Sequence, residues 1–145
     1  MHRILAVLSL TLFGWGCANS PNKATELSPI QAIMAAADHP EGIRGVFRFE
    51  VRGGGRQSGW LYINSEADYR DQRCLTIAFP QEISDELEAQ FHADPVSALH
   101  GKILRVTGVA QRTTIWFYSY GIRTDKYYYQ THVRVTDLSQ VEILN

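Results

Sequence analysis

Aromatic residues are concentrated in one stretch near the C-terminal end of the chain. Residues 116–129 contain seven of them, namely Trp116, Phe117, Tyr118, Tyr120, Tyr127, Tyr128 and Tyr129, and the same stretch carries Arg123 and Lys126. Aromatic rings stack on bases and sugar rings, and arginine adds cation–π contacts. The composition favours a ligand or partner surface. The alternative is that several of these rings fill a core or stand in an exposed hairpin.

A charged loop is the second candidate for chemistry. Residues 64–73 carry Glu66, Asp68 and Asp71 against Arg70 and Arg73. Three acids within six positions could bind a hard cation such as calcium, and Asp68, Asp71 and Arg70 could supply the metal and phosphate groups of a nuclease site. The spacing is not that of an EF-hand loop. Local pairing of the acids with the arginines is therefore the favoured interpretation.

Motifs for other chemistry do not occur in the chain. The histidines lack metal-ligand spacing, and there is no HExxH, CxxC, nucleophile elbow or phosphate loop. Cys74 has no neighbouring His or Lys to activate its thiol, so it is interpreted as a small apolar strand residue. The sequence predicts no catalytic residue, no metal and no cofactor, and a protein that is not an enzyme.

The N-terminus has the pattern of a targeting segment. Arg3 precedes the apolar residues 4–13, and Cys17 follows shortly after. This resembles a bacterial lipoprotein signal, which implies that Cys17 is lipidated, with palmitate among its acyl chains, and becomes the new N-terminus. Ala18 in place of Asp implies the outer membrane. Ordinary cleaved secretion and an uncleaved anchor are the alternatives, because Gly14 and Trp15 depart from the usual signal.

The domain prediction follows from this segment. Residues 1–16 are the signal peptide, residues 17–27 a lipidated linker, and residues 28–145 one domain. The expected location is the cell envelope, lipid-anchored and facing the periplasm, or outside the cell if Cys17 is not lipidated. The net charge of −1 becomes −2 when Arg3 is removed. Proteins that neutralise many phosphates are basic, so nucleic acid is an unlikely partner.

Periodicity gives the order of the elements. Ser28, Pro29 and Gln31 predict a capped helix that ends before Pro40, with an apolar face of Ile30, Ile33, Met34 and Ala37. Strands are predicted over residues 43–51, 60–63, 75–79, 103–109 and 127–135, with a short tail strand over residues 141–144. The i, i+4 spacing of Ile83, Leu87 and Phe91 predicts a helix between the third and fourth strands. Residues 53–58 and the segment around Gly121 and Asp125 are predicted loops.

This order of strands and helices is that of an OB-fold, and two segments resemble a known group of proteins. Residues 99–111 (LHGKILRVTGVAQ), with residues 62–71 (YINSEADYRD) before them, resemble small secreted bacterial proteins with an OB-like domain. The resemblance implies a mainly β fold. Its finer form is a five-stranded OB-fold-like barrel with an N-terminal helix and a helix between strands 3 and 4. It transfers no catalytic or binding residue.

The ligand surface of an OB-fold is the face of strands 2 and 3 with the loops joining strands 1 to 2 and 4 to 5. Applied to this chain, that geometry selects as ligand-binding candidates Trp60, Tyr62, Tyr118, Tyr120, Arg123, Lys126 and Tyr128. We expect an envelope lipoprotein with a non-catalytic module for protein or glycan partners. A domain that binds single-stranded nucleic acid and a purely structural lipoprotein are the alternatives. The first hypothesis predicts that Tyr120→Ala and Tyr128→Ala abolish binding and preserve the fold.

Overall fold

The computed structural model describes residues 25–144, so the signal segment and Cys17 lie outside the described residues. The helices are α1 (Pro29–Ala37), α2 (Gln81–Phe91) and α3 (Pro95–Leu99), with a single 3-10 turn at Leu138–Gln140. The strands are β1 (Glu26–Leu27), β2 (Ile43–Glu50), β3 (Gly53–Gln57), β4 (Trp60–Asn64), β5 (Leu75–Pro80), β6 (Ile103–Ser119), β7 (Ile122–Arg134) and β8 (Val141–Leu144). The sheet therefore begins within the predicted linker.

The protein is mainly β, as the sequence predicts. The eight strands form one sheet in the order β1-β2-β6-β7-β5-β4-β3, and β8 pairs with β6 beside this path. The predicted five-stranded barrel is not confirmed, because the described sheet is not closed by hydrogen bonds. The pairs β1–β2 and β5–β7 are parallel, and the others are antiparallel.

The chain changes its pairing partner at Val51 and Arg52, between β2 and β3. The Val51 amide donates to the Lys102 carbonyl at 2.8 Å and the Gly101 amide donates to the Val51 carbonyl at 2.8 Å, which prolongs the β2–β6 ladder. The Arg52 amide instead donates to the Asn64 carbonyl at 3.0 Å, which begins the β3–β4 ladder. Two strands far apart in the pairing order are thus joined by two residues.

One face of the sheet forms the hydrophobic core. The side chains on it alternate along each strand with side chains on the opposite face. The largest fully buried side chains within residues 25–144 lie on the strands or next to strand ends, apart from Leu99 of α3: Phe47, Phe79, Leu61, Ile63, Leu75, Ile77, Leu104, Val51, Val106, Val133, Val135 and Leu99. Helices α1 and α2 pack on this face through Ala32 and Leu87. Within residues 25–144 the core is therefore contributed by the strands and by all three helices.

Helix α1 starts as predicted but buries a different face. The Ser28 side chain accepts from the Gln31 amide at 3.4 Å, and the Gln31 side chain accepts from the Ser28 amide at 2.9 Å, which completes the capping box. The buried residues are Ala32 and Ala36, whereas Ile30 and Met34 are exposed. The predicted apolar face is therefore wrong. Alanine lets the helix axis approach the sheet more closely than isoleucine or methionine would.

The second predicted helix is confirmed, with Leu87 buried, and it ends at Phe91, before Pro95 as predicted. His92 has a positive φ of 52° and ends the helix in the left-handed conformation. The short helix α3 follows, capped by the Asp94 side chain, and was not predicted.

Both predicted loops are shorter than expected, because most of their residues are strand. Residues 53–57 form β3, and the turn to β4 is Ser58-Gly59 with φ of 51° and 79°. The turn between β6 and β7 is Tyr120-Gly121 with φ of 50° and 78°. Positive φ at both central residues is the mark of a type I′ hairpin turn, whose twist matches that of the strands. Arg123 and Lys126 accordingly lie on β7 and not in a loop.

The β6–β7 hairpin extends beyond the rest of the sheet. Strand β2 pairs with β6 only as far as Ala110, and β5 pairs with β7 only from Thr131 onward. Among the strands of residues 25–144, residues 111–119 and 122–130 therefore pair only with each other. We call residues 111–130 the free hairpin. At about 3.4 Å per residue it is roughly 30 Å long.

Candidate functional site

Two adjoining cavities lie on the sheet face opposite the core, and together we call them the groove. Their volumes are about 300 Å³ and about 640 Å³, and both are lined by Tyr62, Ile115 and His132. Strands β4, β5 and β7 supply the floor, and β3 and β6 contribute residues on either side. The register sets Tyr62 beside Ala78 and Thr76 beside His132, so the floor is one continuous surface. A concave surface of this size is of the kind that takes a small ligand.

In the part of the chain that the structure describes, the lining of the groove carries positive charge and no acid. Arg44 and Arg134 line the larger cavity and Arg56 the smaller one. Arg56 is paired with Glu88 at 2.8 Å, whereas neither Arg44 nor Arg134 has an ion-pair partner among residues 25–144. The other polar groups include amides, hydroxyls and the His132 imidazole. The groove therefore suits a ligand with hydroxyl groups and at least one anionic group.

Two neutral side chains are buried in the floor of the smaller cavity. Asn64 and Thr76 are 5% and 2% exposed, and the Thr76 hydroxyl donates to Asn64 Oδ1 at 2.9 Å. Their cross-strand pairing in the β4–β5 ladder fixes this bond. Buried polar side chains are costly unless they are paired, so the bond makes this polar floor stable.

His132 belongs to a hydrogen-bonded chain in the wall of the groove. His132 Nε2 lies 2.7 Å from Gln130 Oε1, and Gln130 Nε2 donates to the Tyr128 hydroxyl at 3.0 Å and to the Tyr69 carbonyl at 3.2 Å. Because the Gln130 amide group is fixed by these donations, its Oε1 accepts the Nε2 proton of His132. Burial, with a smaller contribution from Arg134, lowers the pKa of His132 to about 4. The imidazole is therefore neutral at pH 7.

This lowered pKa predicts a pH-dependent stability. The pKa of His132 is about 4 in the folded state, against 6.5 for an unperturbed histidine. Between these two pH values the unfolded chain therefore binds a proton at His132 and the folded chain does not. We expect the free energy of unfolding to fall by about 2–3 kcal/mol as the pH drops through this window. In chemical denaturation, His132→Gln should not show this loss of stability, whereas the exposed His39→Gln should show it as the parent protein does. If the free energy of unfolding changes with pH equally in all three proteins, the prediction is contradicted.

Gly55 opens the groove beside Tyr62. These two residues are paired between β3 and β4, and a Cβ built on Gly55 meets no atom within 4 Å. Its neighbours are glycines for packing reasons, because a Cβ on Gly54 would lie 2.5 Å from the Tyr62 carbonyl oxygen and one on Gly53 would lie 3.1 Å from that of Glu66. The missing side chain at Gly55 thus leaves free space in the groove.

The predicted ligand residues fall on separate surfaces. Trp60, Tyr62 and Tyr128 line the groove, and Trp60 holds the guanidinium of Arg134 over its ring at 4.8 Å. Tyr118 and Tyr120 are exposed at the far end of the free hairpin. Arg123 lies over Trp116, and Lys126 is exposed on β7. The one binding surface predicted from the sequence is therefore divided, because the hairpin is much longer than expected.

Groove residues missing from the sequence prediction include Arg44, Arg134, His132, Gln130, Ile115 and Tyr69. Alternation along the last predicted strand already put Tyr128, Gln130, His132 and Arg134 on one face, and that was the available signal. Arg44 and Ile115 come from other strands, so only the pairing register brings them to the groove.

The opposite face of the free hairpin carries a row of stacked side chains, which we call the aromatic ladder. Arg112 lies 4.6 Å from the ring centre of Tyr129, and Arg123 lies 4.7 Å from that of Trp116. The Tyr129–Tyr127 and Tyr127–Trp116 ring centres are 5.4 Å and 5.1 Å apart. Cross-strand aromatic pairs and cation–π contacts of this kind stabilise a two-stranded ribbon that has no other strand beside it.

Each acid of the charged loop is paired with an arginine, two of them within the loop and Glu66 with Arg52 outside it. Arg70 holds Asp68 at 3.0 Å, Arg73 holds Asp71 at 2.8 Å, and Arg52 holds Glu66 at 3.3 Å. Hydrogen bonds from Arg73 lower the pKa of Asp71 to about 2. No group of three potential metal ligands comes together within residues 25–144.

Cys74 is buried just before β5. Its burial raises the pKa of the thiol, so the cysteine stays protonated at neutral pH.

Comparisons with known proteins give little similarity. No model of a known protein family matches the chain, and no curated protein matches it. Among solved structures, the chain is similar to a protein from Leishmania major Friedlin that is assigned as an aspartyl-tRNA synthetase, at 10% identity and a TM-score of 0.40. The match covers 87% of this chain and spans about a fifth of that one, 22%. Such a TM-score is too low to show a shared fold. None of the helices described is long and apolar enough to cross a membrane.

Proposed function

We propose that this protein is a non-catalytic binding module whose groove holds a short acidic oligosaccharide. The observation that carries the proposal is the lining of the groove within residues 25–144: half-buried tyrosine rings and neutral hydrogen-bonding groups beside two arginines without an ion-pair partner there, and no acid. Tyrosine rings pack on sugar rings, amides and hydroxyls bind sugar hydroxyls, and guanidinium groups bind carboxylates or phosphates in bidentate fashion.

The two cavities of the groove differ in which part of the ligand they are expected to bind. Tyr62 and Tyr128 line the smaller cavity, where His132 is neutral and the buried Asn64–Thr76 pair provides polar atoms. Arg44 and Arg134 line the larger cavity, and stacking on Trp60 holds the Arg134 guanidinium in place without neutralising it. The expected ligand therefore places a neutral sugar ring in the first cavity and an anionic group in the second.

We further propose that the fold is an OB-like barrel in an open form. β2 and β3 together resemble one bent first strand, which pairs with β6 before Val51 and with β4 after Arg52. The α2 helix follows β5, and β7 pairs with both β5 and β6, which is the order expected of the later strands. In this interpretation the groove corresponds to the surface that OB-folds use for oligosaccharides and oligonucleotides.

A location in the cell envelope is part of the proposal. It rests on the resemblance of the first residues to a lipoprotein signal, with Cys17 as the lipidated residue and the outer membrane favoured. A lipid anchor at Cys17 would hold the groove near the envelope, where protein and glycan partners both occur. Metabolic labelling with a palmitate analogue tests it, since Cys17→Ser should abolish labelling and the buried Cys74→Ser should leave it unchanged.

Single-stranded nucleic acid is the second candidate ligand. It is favoured by one observation, that Arg112, Arg123 and Arg134 each stack on an aromatic ring and have no ion-pair partner in the part of the chain described. It is disfavoured by the overall charge and by the two free arginines of the groove, too few to neutralise a long run of phosphates.

Equilibrium titration distinguishes these ligands. We expect residues 18–145 to bind a uronic-acid-containing tetrasaccharide at least tenfold more tightly than a neutral tetrasaccharide of the same length. Affinity for the acidic sugar should fall modestly with salt, since only Arg44 and Arg134 contact the anionic group. If a single-stranded oligonucleotide binds more tightly than the sugar, with an affinity that falls steeply with salt, nucleic acid is the better candidate ligand. Absence of binding to all three would contradict the proposal.

A further inference from the structure

Apolar side chains are exposed at the far end of the free hairpin, on a surface separate from the groove. Of the large hydrophobic side chains that are exposed in residues 25–144, four surround the Tyr120-Gly121 turn, and we call them the hairpin tip: Phe117, Tyr118, Tyr120 and Ile122. Tyr120 is fully exposed and Ile122 is 73% exposed. The tip is convex, because it ends a two-stranded ribbon that pairs with no other strand at these residues.

The turn itself carries a residue that its conformation disfavours. Tyr120 has φ of 50°, a region in which residues other than glycine, asparagine and aspartate are strained. The other type I′ turn of the chain has the small polar Ser58 at the same position. A bulky aromatic ring in a strained and fully exposed position does nothing for the hairpin, and such outliers occur where a side chain is used for contact.

Positive charge lies behind the tip. The free hairpin has three basic residues, Arg112, Arg123 and Lys126, against one acid, Asp125. None of these three basic residues forms an ion pair within residues 25–144. Acids are concentrated instead on helix α2. The hairpin is thus basic although the chain as a whole is slightly acidic.

We propose that the hairpin tip is a contact site for an anionic lipid surface. The side chains follow the order found at a membrane interface: apolar groups lie outermost, and the Trp116 and Tyr127 rings and the cationic Arg123 and Lys126 lie behind them. A convex tip enters a soft headgroup layer without needing a preformed pocket. The contact does not depend on the groove ligand or on lipidation of Cys17.

Vesicle flotation tests this proposal on residues 18–145. We expect the protein to float with vesicles of phosphatidylcholine mixed with phosphatidylglycerol and far less with phosphatidylcholine alone. The double variant Tyr120→Asn, Ile122→Thr should lower partitioning at least tenfold, and Asn-Gly is the preferred type I′ turn, so the hairpin stays folded. Lys126→Gln should lower it about fivefold, the contribution of one basic residue near an anionic surface.

Matched variants on other surfaces are the controls. Ile30→Gln with Met34→Gln removes exposed apolar side chains from α1, and Lys102→Gln removes an exposed lysine away from the hairpin. Both should partition like the parent protein. The proposal is overturned if the tip variants and the control variants partition equally. It is also overturned if the parent protein binds neither kind of vesicle, a result that would indicate a protein partner for the tip.

Discussion

Gly54→Ala is expected to destabilise the protein by about 2–4 kcal/mol, whereas Gly55→Ala, one residue away, is expected to leave stability unchanged or to raise it by up to about 1 kcal/mol. A Cβ at Gly54 would lie 2.5 Å from the Tyr62 carbonyl oxygen and 3.2 Å from Val96, so the β3–β4 ladder would have to move. A Cβ at Gly55 meets nothing within 4 Å. Alanine there also reduces the entropy of the unfolded chain.

Chemical denaturation of both variants measures this difference. The two substitutions add the same atoms at neighbouring positions of one strand, so each is the control for the other. Similar losses at both positions would mean that Gly55 is also packed and that the groove beside Tyr62 is closed.

Gly55→Val and Tyr62→Ala are each expected to weaken binding of the acidic oligosaccharide by a factor of roughly 10 to 30. Valine at Gly55 would project into the space beside Tyr62, and alanine at Tyr62 removes a ring shared by both cavities. A lost aromatic contact typically costs about 1–3 kcal/mol in binding, and 1.4 kcal/mol is a factor of ten. Gly55→Val should not reduce stability, because valine favours strands.

Arg134→Gln separates the charge contribution from the ring contribution. It should weaken binding of the acidic ligand by about fivefold to tenfold and leave the affinity for a neutral oligosaccharide unchanged. Arg48→Gln, at an exposed arginine outside the groove, is the matched control. If Gly55→Val and Tyr62→Ala bind as tightly as the parent protein, the groove is not the ligand site.

Much of the fold could be predicted because local signals agree with the final structure. The capping box at Ser28 and Gln31 and the alternation from Ile43 to Glu50 each depend on neighbouring residues alone. The face of α1 could not be predicted, since hydrophobicity selects Ile30 and Met34 while the space against the sheet admits only Ala32 and Ala36. Tertiary packing overrode the amphipathic pattern.

The extent of the strands was the main error, with a physical reason in each case. Three glycines normally interrupt a strand, yet here Gly53 and Gly54 let other backbone segments approach closely, and β3 persists. Tyr120 is an unusual residue for a type I′ turn, so the hairpin turn was not recognised.

These errors affected the prediction of the binding site most. Trp60, Tyr62 and Tyr128 are in the groove, but their neighbours Arg44 and Arg134 depend on the pairing of β2, β6 and β7. Sequence spacing carries no information about that register. Net charge also failed to indicate the positive charge of the groove. Most acids pair with arginines other than Arg44 and Arg134 or lie on α2, so they do not line the groove.

Amide chemical shifts of residues 18–145 during titration with the acidic tetrasaccharide are the most direct measurement of the groove as the ligand site. We predict that the shifts concentrate at Gly55, Trp60, Tyr62, Gln130, His132 and Arg134, and that the free end of the hairpin and helix α1 do not move. Shifts confined to residues 117–123, or an unchanged spectrum at saturating ligand, would contradict this assignment.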